Sequence, residues 1–280
     1  MKSLCFLATI IAGSLLPATA GAEKAAESGT AKAPAAAKPE QKPAKATTET
    51  ASAEDPKSPV EKPNTTYMFV GARFRYVIVP KFYLNLFSAG GTTVGVPAFG
   101  PEFTLRSNRF EYVLSAMYAS YAMDPTPFKS KTDTAQAWEL VDSTMKSLYL
   151  MSDFTWSSPI DPQWAIIYGA GFGLGIVFGE LHRVQAYPPQ GADVNDPYSY
   201  QPCVGPNLPR GDFCDTSNNH YPGYSEPSWA NGGSKPMVFP WLSLQTGVRF
   251  KPTHDVMARL DIGWNIFNGP FFGIAGNYGL

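Results

Sequence analysis

The sequence predicts an all-β fold: an eight-stranded antiparallel transmembrane up-and-down β-barrel with long extracellular loops. Three observations carry this. Apolar and polar side chains alternate with a two-residue period through eight segments between residues 66 and 280, as in strands whose two faces meet different surroundings. The connections between those segments run long, short, long, short, very long, short and short, whereas a soluble sandwich has no reason to sort its loops by end. Large aromatic residues gather on the apolar parity beside the short connections, in the position of an interfacial belt.

Residues 1–22, MKSLCFLATIIAGSLLPATAGA, combine basic Lys2, an apolar stretch and small residues at Ala18, Ala20 and Ala22, the pattern of a cleaved secretory signal. Without Lys2, 21 basic residues face 23 acidic ones, a charge of -2, which gives no reason to expect nucleic acid as a partner. Residues 23–65 change to Ala, Pro, Lys, Glu and Thr, with six prolines, no aromatic residue and one large aliphatic residue, Val60. Such a stretch buries too little apolar surface to form a core. Its seven Lys balance seven acids, so it reads as a neutral, disordered periplasmic tether about 35–40 Å in span. Its candidate partners are peptidoglycan or a periplasmic protein.

The strands follow in order. TYMFVGARFRYVIVP sets Met68, Val70, Ala72, Phe74, Tyr76 and Ile78 against Arg73 and Arg75. FGPEFTLR sets Phe99, Phe103 and Leu105 against Glu102, Thr104 and Arg106. RFEYVLSAMYASY sets Phe110, Tyr112, Leu114 and Tyr118 against Glu111, Ser115 and Tyr121. SLYLMSDFTW separates Leu148, Leu150, Phe154 and Trp156 from Tyr149, Asp153 and Thr155.

The fifth segment, WAIIYGAGFGLGIVFG at 164–179, is short of the roughly 17–25 residues a membrane helix needs. Its aromatic groups occupy even positions and its glycines odd ones. A helix-packing face would space small residues by four, and each glycine would weaken a helix by about 1 kcal/mol. It reads as a strand with one bulky face. VFPWLSLQTGVRF then sets Val238, Leu242, Leu244, Val248 and Phe250 against Trp241, Ser243, Gln245 and Arg249. DVMARLDIGWNIF sets Leu260, Ile262, Trp264 and Ile266 against Arg259, Asp261 and Asn265, and PFFGIAGNYGL closes the series.

The long connections are residues 80–97, 123–145 and 180–236; the short ones are Ser107–Asn108, 158–162, 252–254 and 268–269. Residues 80–91 read as a short helix opened by Pro80, stopped by Gly90 and lying on the barrel rim. The segment 180–236 is rich in Tyr, Pro, Asn and Asp, and its aromatic content favours an ordered cap. Cys203 and Cys214, in an exported chain, are expected to form a local disulfide across it. Asp193, Asn195 and Asp196 do not match the spacing of a calcium loop and read as a solvated turn. His182 and His220 are too few ligands for a metal site.

Over residues 66–280 this architecture resembles the small eight-stranded outer-membrane barrels of the OmpA and OmpX type, as a lineage of its own. The resemblance implies the outer membrane of a Gram-negative bacterium, with membrane lipid around the wall. It also implies assembly machinery that reads a final strand with apolar or aromatic residues at alternate positions. FFGIAGNYGL supplies Phe272, Ile274, Tyr278 and Leu280, and departs from the pattern in ending on Leu rather than Phe and in placing Gly276 in the series.

The polar parity carries Arg73, Arg75, Glu102, Arg106, Glu111, Asp153, Arg249, Arg259 and Asp261, five arginines against four acids. An eight-stranded barrel is just wide enough inside for its own side chains, so these are expected to pair as an internal network, with the glycines of the fifth strand making room for guanidinium groups. The function expected is non-enzymatic: anchoring the 180–236 loop for a structural role or for an extracellular partner. The alternative is a narrow small-solute channel. A lipid-modifying enzyme is the weakest reading, because no Ser lies at a matched spacing from His182, His220 or His254. No catalytic residue, cofactor or metal is expected.

Overall fold

The computed structural model describes residues 59–86, 88–215, 221 and 223–280. The signal segment, most of the tether and His220 lie outside the described residues. Eight strands form the wall: β1 Thr66–Val79, β2 Val94–Ser107, β3 Phe110–Ser130, β4 Glu139–Pro159, β5 Trp164–Phe178, β6 Val238–Phe250, β7 Val256–Asn265 and β8 Gly269–Gly279. Each pairs antiparallel with the next in the chain. The ring closes because β8 also pairs with β1, from Phe69 opposite Gly279 to Val77 opposite Phe271. Closure leaves no unpaired edge, the condition for strands in hydrocarbon, where an unmet backbone N–H or C=O has no water to turn to.

The two parities separate cleanly. Leu150, Phe172, Leu174, Ile176, Leu244, Leu260, Ile262 and Ile274 point outward and are exposed, while their alternate neighbours are buried or half-buried. A soluble protein does not expose a continuous apolar band of this kind, whereas a barrel wall facing lipid requires one. The short-turn end of the wall carries aromatic pairs, Phe110 with Trp156 at 5.5 Å and Trp164 with Phe250 at 4.4 Å between ring centroids. The β2–β3 turn is tight because Asn108 takes φ 53°, a left-handed conformation that Asn tolerates better than most residues.

At the long-loop end three sequence expectations need correction. Residues 123–145 are not a long loop: β3 and β4 continue pairing past the wall, from Thr126 opposite Val141 to Phe128 opposite Glu139, after a register shift between Met123 and Thr126. Pro125 lies within that shift and Pro127 one residue past it, and prolines are tolerated where a bulge interrupts a ladder. The helix after Pro80 spans only Lys81–Leu84, and Gly90 lies in a short strand, Ser88–Gly90, on the edge of the β3 extension. The very long connection also holds β-structure: Leu181–Tyr187 pairs with the β4 extension on one side and with Tyr224–Ser225 on the other.

Candidate functional site

The structure brings all nine charged residues of the polar parity together inside the barrel, each buried. Successive layers can be followed up the lumen from the short-turn end. At the bottom, Arg249 donates to Glu111, and Arg106 lies 3.8 Å from the same carboxylate. One layer higher, Arg259 bridges Glu102 and Glu111, the latter at 3.6 Å, and Asn277 donates to Glu102 at 2.6 Å. At mid-height Asp153 accepts from both Arg73, at 2.5 Å, and Arg75, at 3.0 Å. Arg73 also pairs with Glu102 at 3.0 Å, and Arg75 also reaches Asp261 at 3.3 Å and Gln245 at 2.5 Å.

Above Arg75 the chemistry changes. Its guanidinium lies 4.7 Å from the ring of Phe271 and 5.5 Å from that of Trp241, so a cation–π contact joins the charged half of the lumen to an aromatic half. There Trp241 packs on Phe271 and Tyr149, Tyr121 packs on Phe239, and the hydroxyls of Tyr121 and Tyr149 lie 2.6 Å apart. Val77, Val96, Met117 and Met151 fill the space between. Each ion in this network has been taken out of water, which costs several kcal/mol per ion unless partners replace the hydration. The ladder of shared carboxylates supplies a partner for each ion, although single atoms such as Arg75 Nη1, Arg259 Nε and Asp153 Oδ1 make no hydrogen bond.

The glycines of β5 make room, but not for arginine. A side chain at Gly171 would land on the carboxylate of Asp153 and lie 3.1 Å from Ser243, and one at Gly173 would meet Met151 at 2.8 Å. The reason is register: Asp153 stands opposite Gly171 and Met151 opposite Gly173 on the paired strands β4 and β5. The glycine that accommodates an arginine is Gly273 on β8, where an added carbon would meet Arg75 at 3.0 Å and Asp261 at 2.9 Å.

Sequence reasoning missed two members of the network, Glu61 and Lys251. Lys251 follows Arg249 on the same parity, one residue past β6, and was legible in principle. Glu61 sits in the low-complexity stretch and carries no such signal. Its carboxylate pairs with Arg106 at 3.1 Å and accepts from Lys251. Burial pushes the Lys251 ammonium below the usual lysine range, with Arg106 and Arg249 adding to the effect and Glu61 opposing it.

At the other end the described residues of the cap form an ordered body. Cys203 and Cys214 are bonded, and beside them Trp138, Ala186, Tyr200 and Phe213 form a second core. Gln185 donates to the Phe213 carbonyl, and Cys203 N–H to the Gln185 carbonyl at 2.8 Å. Arg183 bridges Glu139, at 2.6 Å, and Glu226, at 2.8 Å. Burial alone would lower the Arg183 pKa, but these carboxylates outweigh it and hold the guanidinium above its ordinary range. Tyr198 ties the cap to the first loop, accepting from Lys81 at 2.6 Å and donating to the Gly91 carbonyl at 2.7 Å. Asp193 and Asp196 accept from nearby backbone amides of Asn195 and Tyr198 at 2.8 and 3.2 Å.

No protein-family model matches the chain, and no curated protein matches it. Similar solved structures include Neisserial surface protein A, at 8% identity over 76% of this chain and 96% of that one, with a TM-score of 0.40. The attachment invasion locus protein Ail of Yersinia pestis aligns at 9% identity over 78% and 100% of the two chains, with a TM-score of 0.33. The N-terminal β-barrel domain of Pseudomonas aeruginosa OprF does so at 9% identity over 78% and 100%, with a TM-score of 0.29. Likenesses this distant decide nothing about function; the barrel itself rests on the strand register.

Proposed function

We propose that the protein is a non-enzymatic outer-membrane barrel of a Gram-negative bacterium. Its packed lumen makes it an anchor that presents the disulfide-clipped cap at the cell surface to an extracellular partner. The observation that carries this reading is the lumen. Arg75 and Asp153 at mid-height and Glu111 at the bottom are fully buried (0% exposed), Arg75 and Asp153 paired with each other and Glu111 with Arg249, rather than lining a water-filled passage. In this reading the short turns and residues 23–65 face the periplasm, and the final strand, through Phe272, Ile274, Tyr278 and Leu280, is what the assembly machinery takes up.

The histidines support a non-catalytic role. Among the described residues, His182 is exposed beside Glu180 in the cap, while His254 pairs with Asp255 at the opposite end of the barrel. Ser225 stands opposite His182 on the paired strand, but among the described residues neither histidine hydrogen-bonds a serine, as a base activating a nucleophile would. The test is topology: a short epitope inserted after Gly191, a turn residue at φ 84° with open space around it, should bind antibody on intact cells. Labelling only after the outer membrane is permeabilised would sink the reading.

A further inference from the structure

Residues 59–65 do not hang away from the barrel. Asn64 N–H donates to Asn108 Oδ1 at 2.9 Å, Asn108 Nδ2 donates back to Asn64 Oδ1 at 3.3 Å, and Lys62 N–H donates to the Tyr67 hydroxyl at 2.8 Å. The Asn64–Asn108 contacts pin the segment to the β2–β3 turn, and the Lys62 contact ties it to the start of β1. Its far end, Pro59 and Val60, lines a cleft with Asp161, Pro162 and Gln163 of the β4–β5 turn. In an eight-strand ring β5 stands opposite β1, so the segment that enters β1 crosses the mouth of the barrel from side to side.

Where it crosses, Glu61 drops into a cationic cup. Its side chain is 11% exposed, against 7% for Arg106 and 3% for Lys251. Lys251 is held by more than this pairing, since its ammonium also lies 5.4 Å from the Tyr67 ring and 5.8 Å from that of Phe69. Arg249 completes the cup through Glu111. Counting Glu61 and Lys251, six cations face five carboxylates in the lumen among the described residues. With Glu61 lifted away, Arg106, Arg249 and Lys251 would have one carboxylate among them, Glu111. A buried cation cluster left short of charge favours any carboxylate that fits.

We propose that this cup is a carboxylate-binding site that the chain occupies with its own Glu61, and that an acidic side chain from a periplasmic peptide takes the site only when residues 59–65 lift from the mouth. The segment then acts as both ligand and stopper. The occupant is a carboxylate because the two oxygens of Glu61 divide between two cations: Oε1 accepts from Lys251, and Oε2 lies 3.1 Å from Arg106 Nε.

The experiment uses the full chain folded in detergent micelles, with Glu61→Gln, which keeps the side chain's shape and removes the charge that holds it in the cup. Thermal unfolding is followed by the gel-mobility shift, in sodium acetate and in sodium chloride at equal ionic strength. The proposal expects acetate to raise the midpoint of Glu61→Gln by several degrees over chloride, to leave the wild type unmoved, and to lose its effect when Lys251→Met is added. The same acetate response in wild type and variant, or none in the variant, overturns it. If Glu61→Gln alone does not fold, the pair Glu61→Gln/Lys251→Gln removes charge from both partners and is expected to fold; failure of the pair as well overturns the proposal. An acidic peptide then replaces acetate: competition with Glu61, seen as at least tenfold tighter binding to the variant than to the wild type, is expected, and equal affinity would contradict it.

Discussion

Asp153 is the hinge of the charge network, and Asp153→Asn is the most informative single change. The substitution keeps the shape of the side chain and removes its charge. Asp153 accepts from Arg73 at 2.5 Å and Arg75 at 3.0 Å, and all three residues are buried. Removing one partner of a buried ion pair costs about 3–5 kcal/mol, because the remaining charge has lost its water and gains nothing in exchange. Here each arginine keeps a second carboxylate, Glu102 at 3.0 Å for Arg73 and Asp261 at 3.3 Å for Arg75, so the low end, about 3 kcal/mol, is expected. With a urea slope of about 2 kcal/mol per molar, the unfolding midpoint should fall by about 1.5 M at unchanged slope. The assay is urea unfolding in lipid vesicles, read by tryptophan fluorescence and by gel mobility. A loss below about 0.5 kcal/mol, the range of an ordinary surface substitution, would mean that water solvates these charges and the lumen is not packed.

Other predictions follow from the same geometry. Gly171→Leu should destabilise by about 3 kcal/mol or block folding, because the new side chain collides with Asp153 and Ser243 in a filled interior; Leu174→Ile, on the exposed face, should stay within about 0.5 kcal/mol in the same urea series. Replacing Cys203 and Cys214 together by Ser should cost the cap about 3 kcal/mol of local stability, since the bridge closes a loop spanning 11 positions. Limited proteolysis should then cut within 188–215 while the heat-dependent mobility shift of the barrel persists; a loss of that shift would show that cap and barrel fold as one unit. Arg183→Met should also loosen the cap, by leaving Glu139 and Glu226 buried without their shared cation, and faster cleavage of the cap relative to wild type is the readout.

The wall was legible in the sequence because each strand separates two unlike phases. Hydrocarbon outside and a packed interior give wall residues one of two fates, so the neighbours Leu150, 61% exposed, and Met151, 2% exposed, differ sharply. Beyond the membrane that contrast fades. In the β3 extension the burial pattern loses its alternation after Tyr121, and with Pro125 and Pro127 present the periodicity no longer distinguishes a hairpin from a loop. The lumen residues were identifiable by parity, but their partners were not: Arg75 with Asp261 spans 186 residues, and only the closed register brings them together. Glu61 was hidden for a different reason. One of seven acids in a stretch of lysines, alanines and prolines, it has no period to mark it, and its role appears only where the segment crosses the mouth.

The central claim is that the barrel is filled. Single-channel recording of the purified wild-type protein in planar bilayers tests it most directly. A lumen sealed by the Arg–carboxylate ladder below and by Tyr121, Tyr149, Trp241 and Phe271 above should give no stable conductance steps at either polarity. Reproducible steps of fixed size would contradict the account and establish the narrow channel in its place.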